Sequence, residues 1–296
     1  MRALAVQAFA HSERAARALA DALGAPFDPI GLHVFPDEEI LPAVPAPART
    51  VIVYEPLDHP NSKLIRLLLT ADAWRRSGVE RLVLVAPYLC YLRQDAVFAP
   101  GQPLSRDVIG GLLGPRFDRI VTVDAHLHRT EDISAVFGGA RVDNLSAAPA
   151  LAEAIGGAGA APLVLGPDRE SAPWVQALAA LLGGDSVVLS KTRIGDGMVE
   201  FDFGDLGRVE GRRVVIVDDV CSSGGTVLRL AARLSQAGAA RIEFAVVHAL
   251  FGEAVRRRMG EAGIARVVST DSITHPTNAA PLAGLLAAAL KDERAP

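Results

Sequence analysis

The sequence predicts an α/β fold in two tandem domains, each with a central, mostly parallel sheet. At 296 residues, half of them apolar, the chain suits two domains of about 150 residues with large cores. Strand-like and helix-like segments alternate along it, and valine-rich strands twice end at an acid, at Val123-Asp124 and Val217-Asp218. We expect domains at residues 1–145 and 146–296, with the last helix packing back on the first domain.

Each element of the first half follows from apolar spacing and from turn residues. Short β-branched runs bounded by turns are typical of buried strands, and apolar residues three and four apart are typical of helices. Gly78, for example, closes the helix that carries Leu64, Leu67 and Trp74 on one face. The pattern predicts strands at 3–9, 51–54, 82–85 and 120–123, and helices at 12–23, 61–76 and 104–113.

The second half repeats the alternation after a Gly/Ala-rich joint at 156–161. Its glycine-rich segment 194–198 predicts a loop excursion. The pattern predicts strands at 163–165, 187–189, 214–218, 243–248 and 266–273, and helices at 147–155, 174–182, 227–234, 253–259 and 279–290.

Composition excludes several function classes. The net charge of −4 and the absence of a long Lys/Arg block give no reason to expect nucleic acid as a partner, and Arg256-Arg257-Arg258 fits a solvated helix face. Two cysteines are too few for a disulfide framework or a structural zinc site. No apolar run approaches the roughly 20 residues of a membrane span. We therefore expect a cytoplasmic protein with no membrane partner.

The segment 214–226, VVIVDDVCSSGGT, carries the strongest chemical signal. A buried strand ends at two acids, small residues follow, and a helix begins, which together build an anion site from backbone N–H groups and a helix N-terminus. Hydroxyls of Ser222, Ser223 and Thr226 add donors. Asp218 and Asp219 would repel a phosphate, so they suit sugar hydroxyls or hydrated Mg²⁺. An ordinary strand–turn–helix with a capping hydroxyl gives the same pattern.

Two further polar groups follow strands of the first half. Arg93-Gln94-Asp95 offers directed hydrogen bonds, although a solvated loop with an internal Arg–Asp pair fits equally well. Asp124 and His126 stand two apart at a strand end, where an acid and an imidazole can converge on a metal or on a metal-bound phosphate. A structural histidine is the alternative.

Two groups of polar residues in the second half are also candidates for binding or catalysis. Asp168, in the turn Gly166–Ser171, has the setting of an anion or metal loop, and a plain turn before a helix fits nearly as well. Lys191 and Arg193 stand at the root of the glycine-rich excursion, where two cations suit closure over polyphosphate. A solvated basic hairpin is the alternative reading.

These motifs resemble those of one enzyme family. VVIVDDVCSSGGT is similar to the phosphoribosyl pyrophosphate loop of type I phosphoribosyltransferases and ribose-phosphate pyrophosphokinases. Only the second family shares the first-half motifs, which occur here in the family's order, and the 270–273 segment, TDSI, matches its terminus. The chain is identified by this resemblance as a ribose-phosphate pyrophosphokinase-type sequence. The first-half motifs are FPDEE (35–39), PNSKL (60–64), YLRQD (91–95), VDAH (123–126) and VDNL (142–145).

The resemblance implies a fold, a reaction and a set of residue roles. The fold would be two Rossmann-like, phosphoribosyltransferase-type domains in a homo-oligomer, a dimer or higher. ATP and ribose 5-phosphate would give phosphoribosyl pyrophosphate and AMP, with Mg²⁺ as cofactor. The roles implied are catalysis by Lys191 and Arg193; ATP binding by Phe35, Asp37, Glu39, Arg93, Gln94, Asp95 and His126; metal binding by His126 and Asp168; and ribose 5-phosphate binding by Asp218, Asp219, Ser222, Ser223, Gly224, Gly225 and Thr226.

Three departures from the family pattern leave alternatives open. Glu38 replaces the usual glycine of FxDGE, and Arg169-Glu170 replaces small residues. Ser222 stands where most bacterial and animal members have an acid, from which we expect weak or absent allosteric inhibition by ADP. The alternatives are a non-catalytic, nucleotide-binding regulatory paralogue and a phosphoribosyltransferase acting on a base.

Overall fold

The structure, a computed structural model, forms two units. It describes residues 1–127, 132–156, 159–189 and 209–293 in full, and the backbone alone of 190–194, 198–202 and 294. The first unit comprises Met1–Leu145 together with Leu282–Pro296, and the second is Ser146–Pro281. The segment after residue 281 therefore belongs to the first unit.

The first unit begins with a β-strand and alternates strands with helices. Its strands are β1 (Arg2–Ala8), β2 (Phe27–Pro29), β3 (Gly31–Val34), β4 (Ile40–Ala43), β5 (Ala48–Tyr54), β6 (Arg81–Val85), β7 (Arg119–Val123) and β8 (Arg141–Leu145). Its helices before residue 146 are α1 (Glu13–Leu23), α2 (Pro60–Arg76), α3 (Ser105–Leu113) and the single turn α4 (Ile133–Val136).

The second unit has the same alternation. Its strands are β9 (Leu163–Gly166), β10 (Asp185–Val188), β11 (Ser190–Ile194), β12 (Met198–Asp202), β13 (Arg213–Cys221), β14 (Arg241–Ala249), β15 (Ile264–Thr270) and β16 (Asn278–Ala280). Its helices are α5 (Ala148–Ile155), α6 (Ala172–Leu182), α7 (Gly225–Gln236) and α8 (Glu253–Glu261), after which α9 (Ala283–Ala289) returns to the first unit.

The two units share one sheet topology. The first sheet has the order β2-β1-β5-β6-β7-β8 and the second has β10-β9-β13-β14-β15-β16, with every pair parallel. In each unit an antiparallel hairpin, β3–β4 or β11–β12, follows the second sheet strand. This confirms the predicted α/β fold with two central, mostly parallel sheets. The two halves of the chain repeat the same order of strands.

Burial on both faces explains why the central strands read as continuous β-branched runs. Val51 and Val53 pack with Leu82 and Leu84 in one core, and the intervening Ile52 is also fully buried. The strands β5, β6 and β7 are accordingly buried at nearly every position. Among the described residues, no helix combines the length and the apolarity that crossing a membrane requires.

The strand that enters the 214–226 motif is longer than predicted. The sequence predicts its end at Asp218, but β13 continues to Cys221, because pairing with β14 runs on through Cys221 and Ala249. Cys221 is therefore a buried strand residue and not part of the loop. Helix α7 in turn begins at Gly225, two residues before the predicted start at Val227.

Smaller differences occur elsewhere in the second unit. The glycine-rich excursion expected at 194–198 connects the strands of the β11–β12 hairpin, with residues 195–197 outside the described part. The predicted final helix 279–290 is a short strand, β16, followed by α9. The arginines 256–258 lie exposed on α8, as the composition predicted.

A buried ion-pair cluster attaches the segment after α9 to the first sheet. Glu293 binds Arg81 through two hydrogen bonds of 2.5 and 2.8 Å and Arg119 through one of 2.9 Å. The guanidinium of Arg119, 2% exposed, also donates to Asp143, Asp292 and the carbonyl of Ala289. The segment 289–293 is thus fastened at the amino-terminal ends of β6 and β7.

Candidate functional site

The loop between β13 and α7 is shaped by a glycine that no other residue could replace without strain. Gly224 adopts φ +71°, in the left-handed region, and a Cβ there would lie 2.5 Å from Cγ1 of Val255. Gly225 is less constrained, because its Cβ would meet nothing closer than 3.7 Å. The tight turn at Gly224 lets the chain pass directly from strand to helix.

The N-terminus of α7 is open to a ligand. Gly224 is its N-cap and carries no side chain to bond the first-turn N–H groups. Ser222 and Ser223 are exposed beside it, and Gly225 and Thr226 are partly exposed. The Gly225 N–H lies 3.5 Å from Ser223 Oγ, which is at the limit of a hydrogen bond, so this contact is weak. N–H groups, hydroxyls and a helix dipole thus face one small region, which suits an anion.

Three acids of the second unit, Asp168, Asp218 and Asp219, lie next to this loop. Burial and the neighbouring carboxylates of Asp219 and Asp168 raise the pKa of Asp218 well above its ordinary value. Asp219 is buried, and its Oδ1 accepts from the N–H of Val220 at 2.7 Å. Asp168 follows β9, the strand paired with β13, so the parallel sheet brings the three acids to one edge.

The Asp168 turn is held close to the sheet. A Cβ on Gly166 would lie 2.0 Å from Ser171 Oγ, so only glycine permits this packing. The hydroxyl of Ser171 donates to the Asp168 carbonyl at 2.5 Å, and the carboxylate stays partly exposed. Arg169 and Glu170, the two departures from the family pattern, are exposed.

The two predicted catalytic cations lie on one strand of the β11–β12 hairpin. Lys191 pairs with Phe201 and Arg193 with Val199 in the antiparallel register. Their side chains lie outside the described part of the chain.

In the first unit, the Phe35–Glu39 segment is the turn of the β3–β4 hairpin. The N–H of Phe35 donates to the Glu39 carbonyl and the N–H of Glu38 to the Phe35 carbonyl, at 2.8 and 2.9 Å. Asp37 Oδ1 accepts from the Glu39 N–H at 3.2 Å. Phe35, 39% exposed, meets His33 edge to face at 4.5 Å. Glu38 adopts φ +70°, so the turn keeps the conformation that glycine would favour.

Arg93, Gln94 and Asp95 follow β6, as predicted. Leu92 and Asp95 are buried, whereas Arg93 and Gln94 between them are exposed. The N–H of Gln94 donates to the carbonyl of Tyr91 at 3.0 Å, which closes a turn. Buried residues thus anchor the segment on both sides of two exposed polar side chains.

Asp124 and His126 follow β7, the neighbour of β6. Asp124 is buried with φ +37°, and its N–H donates to the Leu145 carbonyl at 2.8 Å. The next N–H, of Ala125, donates to Asn144 Oδ1 at 2.9 Å. His126 is partly exposed. Because β6 and β7 are parallel, the 93–95 and 124–126 segments share one edge of the first sheet.

The structure adds a buried polar cluster that sequence reasoning missed. Glu55, fully buried after β5, accepts from His11 Nε2 at 2.6 Å and lies 3.8 Å from Lys63 Nζ. Lys63 also donates to the Pro56 carbonyl and to Asp58, at 2.7 and 2.6 Å. By topology β5 is the counterpart of β13, so this cluster occupies the place of the open loop of the second unit. The PNSKL motif contains Lys63, but nothing local marks it as buried.

No cluster of three or more His, Cys, Asp or Glu side chains in the described part of the chain is arranged to hold a metal. Burial and the neighbouring carboxylates nevertheless raise the pKa of Asp218, and a divalent cation at this edge would stabilise the charged carboxylates. A hydrated Mg²⁺ beside Asp168 fits this chemistry.

Comparison with known proteins matches both units. The profile described as "N-terminal domain of ribose phosphate pyrophosphokinase" matches residues 4–114, and "Phosphoribosyl transferase domain" matches residues 145–283. The chain is 31% identical to the ribose-phosphate pyrophosphokinase of Methanothermobacter thermautotrophicus over 95% of this chain and 98% of that one. The Methanopyrus kandleri protein of the same name is 31% identical over 88% and 89%.

A solved structure extends the likeness to three dimensions. The crystal structure of phosphoribosylpyrophosphate synthetase from Mycobacterium smegmatis superposes with a TM-score of 0.82 at 25% identity, covering 97% of each chain. A bacterial relative, the ribose-phosphate pyrophosphokinase of Granulibacter bethesdensis, is 32% identical over 87% of this chain and 84% of its own.

Proposed function

Because the chain belongs to the ribose-phosphate pyrophosphokinase family of enzymes, we propose that it transfers the β,γ-diphosphate of ATP to the 1-hydroxyl of ribose 5-phosphate, giving phosphoribosyl pyrophosphate and AMP. The observation that carries the proposal is the repeated topology. In each unit, polar side chains lie where the carboxyl ends of the parallel strands meet. Those of the first unit suit a nucleotide, and those of the second suit a sugar phosphate. A phosphoribosyltransferase acting on a base would need the second unit alone.

The second unit would bind ribose 5-phosphate. The open first turn of α7 and the residues from Ser222 to Thr226 offer N–H and hydroxyl donors to the 5-phosphate. Asp218 and Asp219, in the last four residues of β13, would accept hydrogen bonds from the ribose hydroxyls. These contacts orient the 1-hydroxyl for attack and supply most of what such a transfer requires.

The first unit would bind ATP. Phe35 offers an exposed ring for stacking on adenine, and Asp37 and Glu39 offer acceptors in the same turn. Arg93 and Gln94 are exposed donors for phosphate or base, with Asp95 buried behind them. His126, at the end of β7, would contact a phosphate oxygen or a metal.

Charge neutralisation completes the proposed mechanism. Lys191 and Arg193 would stabilise the negative charge that develops as the bond to AMP breaks. Asp168 of the second unit and His126 of the first would each be a ligand for Mg²⁺, which supplies charge neutralisation to polyphosphate oxygens when bound. The exposed positions of Arg169 and Glu170 and the retained turn at Glu38 favour a working enzyme over a non-catalytic paralogue.

We also propose a cytoplasmic homo-oligomer. Apolar side chains of the first unit lie exposed on the β3–β4 hairpin and on the outer face of α2, where β4 packs on that helix. A second copy of this chain would cover them. Sedimentation of the purified protein is expected to give a dimer or a larger assembly, and Leu41→Asp is expected to shift it towards monomer. The exposed side chains are Val34 (55%), Leu41 (58%), Ile65 (50%) and Leu69 (42%).

The test of the reaction is AMP formation from ATP, measured with and without ribose 5-phosphate and with and without Mg²⁺. AMP and phosphoribosyl pyrophosphate are expected in equal amounts only when all three are present. AMP that forms independently of ribose 5-phosphate, or pyrophosphate release from phosphoribosyl pyrophosphate and a base, would overturn the proposal. Lys191→Ala is expected to lower kcat by at least about a hundredfold with nucleotide binding retained; Thr192→Ala on the same strand is the control.

A further inference from the structure

The side chain of Gln94 is held against the start of α3. The hydroxyl of Ser105, at the start of α3, donates to Gln94 Oε1 at 2.7 Å. The neighbouring N–H of Arg106 donates to the main-chain carbonyl of Gln94 at 3.2 Å. Since the amide oxygen faces Ser105, the amide nitrogen, which can only donate, faces away from α3. Gln94 is exposed, so this NH₂ group is accessible to a ligand.

The turn that carries Gln94 is fastened from a second side. Tyr91 adopts φ +62°, a left-handed conformation that a bulky residue keeps only where its surroundings impose it. Its hydroxyl donates to Asn61 Oδ1 at 2.7 Å, and the adjacent Leu92 is buried. The hydrogen bond from the Gln94 N–H to the Tyr91 carbonyl then sets the position of Gln94 relative to this anchor.

Asn61 is itself on a fixed support. It lies in the first turn of α2, two residues before Lys63, whose ammonium binds the Pro56 carbonyl and Asp58. The carboxylate of Glu55, fully buried, lies next to the same ammonium. The start of α2 is therefore held by buried charge contacts close to Asn61.

We propose that Ser105 and Asn61 are positioning residues for the nucleotide: together they hold the 91–94 turn and the Gln94 side chain where its amide contacts an acceptor atom of ATP through the NH₂ group. This rests on the proposed function, in which Gln94 binds ATP. Phosphate oxygens and adenine ring nitrogens are acceptors, so the NH₂ group can donate to either, and a displaced 91–94 turn would lose the contact.

Ser105 can be replaced without disturbing the core, because it is partly exposed and removal of its hydroxyl leaves no core cavity. Its variants therefore distinguish a positioning role from a merely structural one. Ser105→Ala is expected to raise KM for ATP about threefold to tenfold, with KM for ribose 5-phosphate unchanged. Ser105→Thr retains the hydroxyl and is expected to restore the wild-type value. Tyr91→Phe, which removes the hydroxyl that binds Asn61, is expected to act in the same direction as Ser105→Ala.

The experiment combines steady-state kinetics with calorimetric titration of a non-hydrolysable ATP analogue in the absence of ribose 5-phosphate. Ser77→Ala is the matched control, because Ser77 is an exposed serine at a helix end of the same unit that donates to Ala73. Weaker analogue binding by Ser105→Ala and Tyr91→Phe, with normal binding by Ser105→Thr and Ser77→Ala, supports the proposal.

Analogue affinities within twofold of wild type for both Ser105→Ala and Tyr91→Phe would overturn the positioning role, as would equal increases in the KM values of both substrates. If the wild-type protein makes no AMP from ATP and ribose 5-phosphate, the proposed function itself fails. The analogue titration still tests the positioning role in that case.

Discussion

Replacing Glu293 by alanine is expected to destabilise the first unit by about 2–4 kcal/mol. The side chain is 3% exposed and binds both Arg81 and Arg119. Removing one partner from a buried ion pair costs roughly 3–5 kcal/mol, because the remaining charge stays buried. Arg119 keeps Asp143 and Asp292, and Arg81 is 40% exposed and can turn to water, so the expected loss extends below that range, to about 2 kcal/mol.

The assay needs a reporter for the first unit alone, since a chain of two units does not unfold in a single transition. The two tryptophans make this possible: Trp74 is fully buried in the first unit, and Trp174 belongs to α6 of the second. In a Trp174→Phe background, fluorescence during urea unfolding reports on the surroundings of Trp74. Glu293→Ala is expected to move that transition to lower urea.

The matched control is Asp292→Ala. Asp292 binds the same guanidinium of Arg119 at 2.8 Å but is 56% exposed, so its loss is expected to cost less than about 1 kcal/mol. If Asp292→Ala destabilised the first unit as much as Glu293→Ala, burial would not determine the strength of these pairs. A loss below about 1 kcal/mol in Glu293→Ala would contradict the reasoning directly.

The same cluster predicts a pH dependence. Burial acts to raise the pKa of Glu293, but hydrogen bonds from Arg81 and Arg119 outweigh it and hold the pKa below its ordinary value. A carboxylate with a lowered pKa in the folded state adds stability above its unfolded pKa of about 4.3, and this is lost as pH falls through the folded pKa. Below about pH 4 the wild type is therefore expected to lose stability more steeply than Glu293→Gln.

Three further outcomes follow from single residues. Gly224→Ala is expected to lower the free energy of unfolding by about 1–3 kcal/mol and to raise KM for ribose 5-phosphate. The reason is that φ +71° and the contact with Val255 both oppose a Cβ. A thermal midpoint equal to that of wild type would contradict this. Glu38→Gly is expected to stabilise the protein by about 0.5–1 kcal/mol at φ +70°, measured by urea unfolding, and a loss of stability would refute it. Burial raises the pKa of the Cys90 thiol to about 12, so Cys90 is expected to resist alkylation by iodoacetamide at pH 8 in the native protein. Peptide mass spectrometry measures the modification. Rapid labelling of Cys90 would show that the site opens.

Strand positions could be predicted from the sequence because the buried strands are short β-branched runs that end at turn residues. The end of β13 could not. Asp218, Asp219 and the small residues after them are typical of a loop, but the hydrogen-bond ladder to β14 holds the backbone extended to Cys221. Pairing between strands overrode the local signal.

The site residues could also be predicted in part, whereas the contacts that support them could not. Motif resemblance identified Asp218, Gly224 and Gln94 as candidates, because these residues stand in contiguous patterns. The contacts that support them are not contiguous: Asn61 meets Tyr91 across 30 positions, and Arg119 meets Glu293 across 174. No local composition specifies a partner at such distances, so only the folded chain reveals them.

The return of residues 282–293 to the first unit affects how the protein folds while the ribosome makes it. Domains usually fold in the order in which they are translated. In this protein the second unit is contiguous and complete once residue 281 has been made. The first unit, begun earlier, waits for Glu293 to reach Arg119 and Arg81, so the half of the chain that is synthesised first is the last to acquire all of its native contacts.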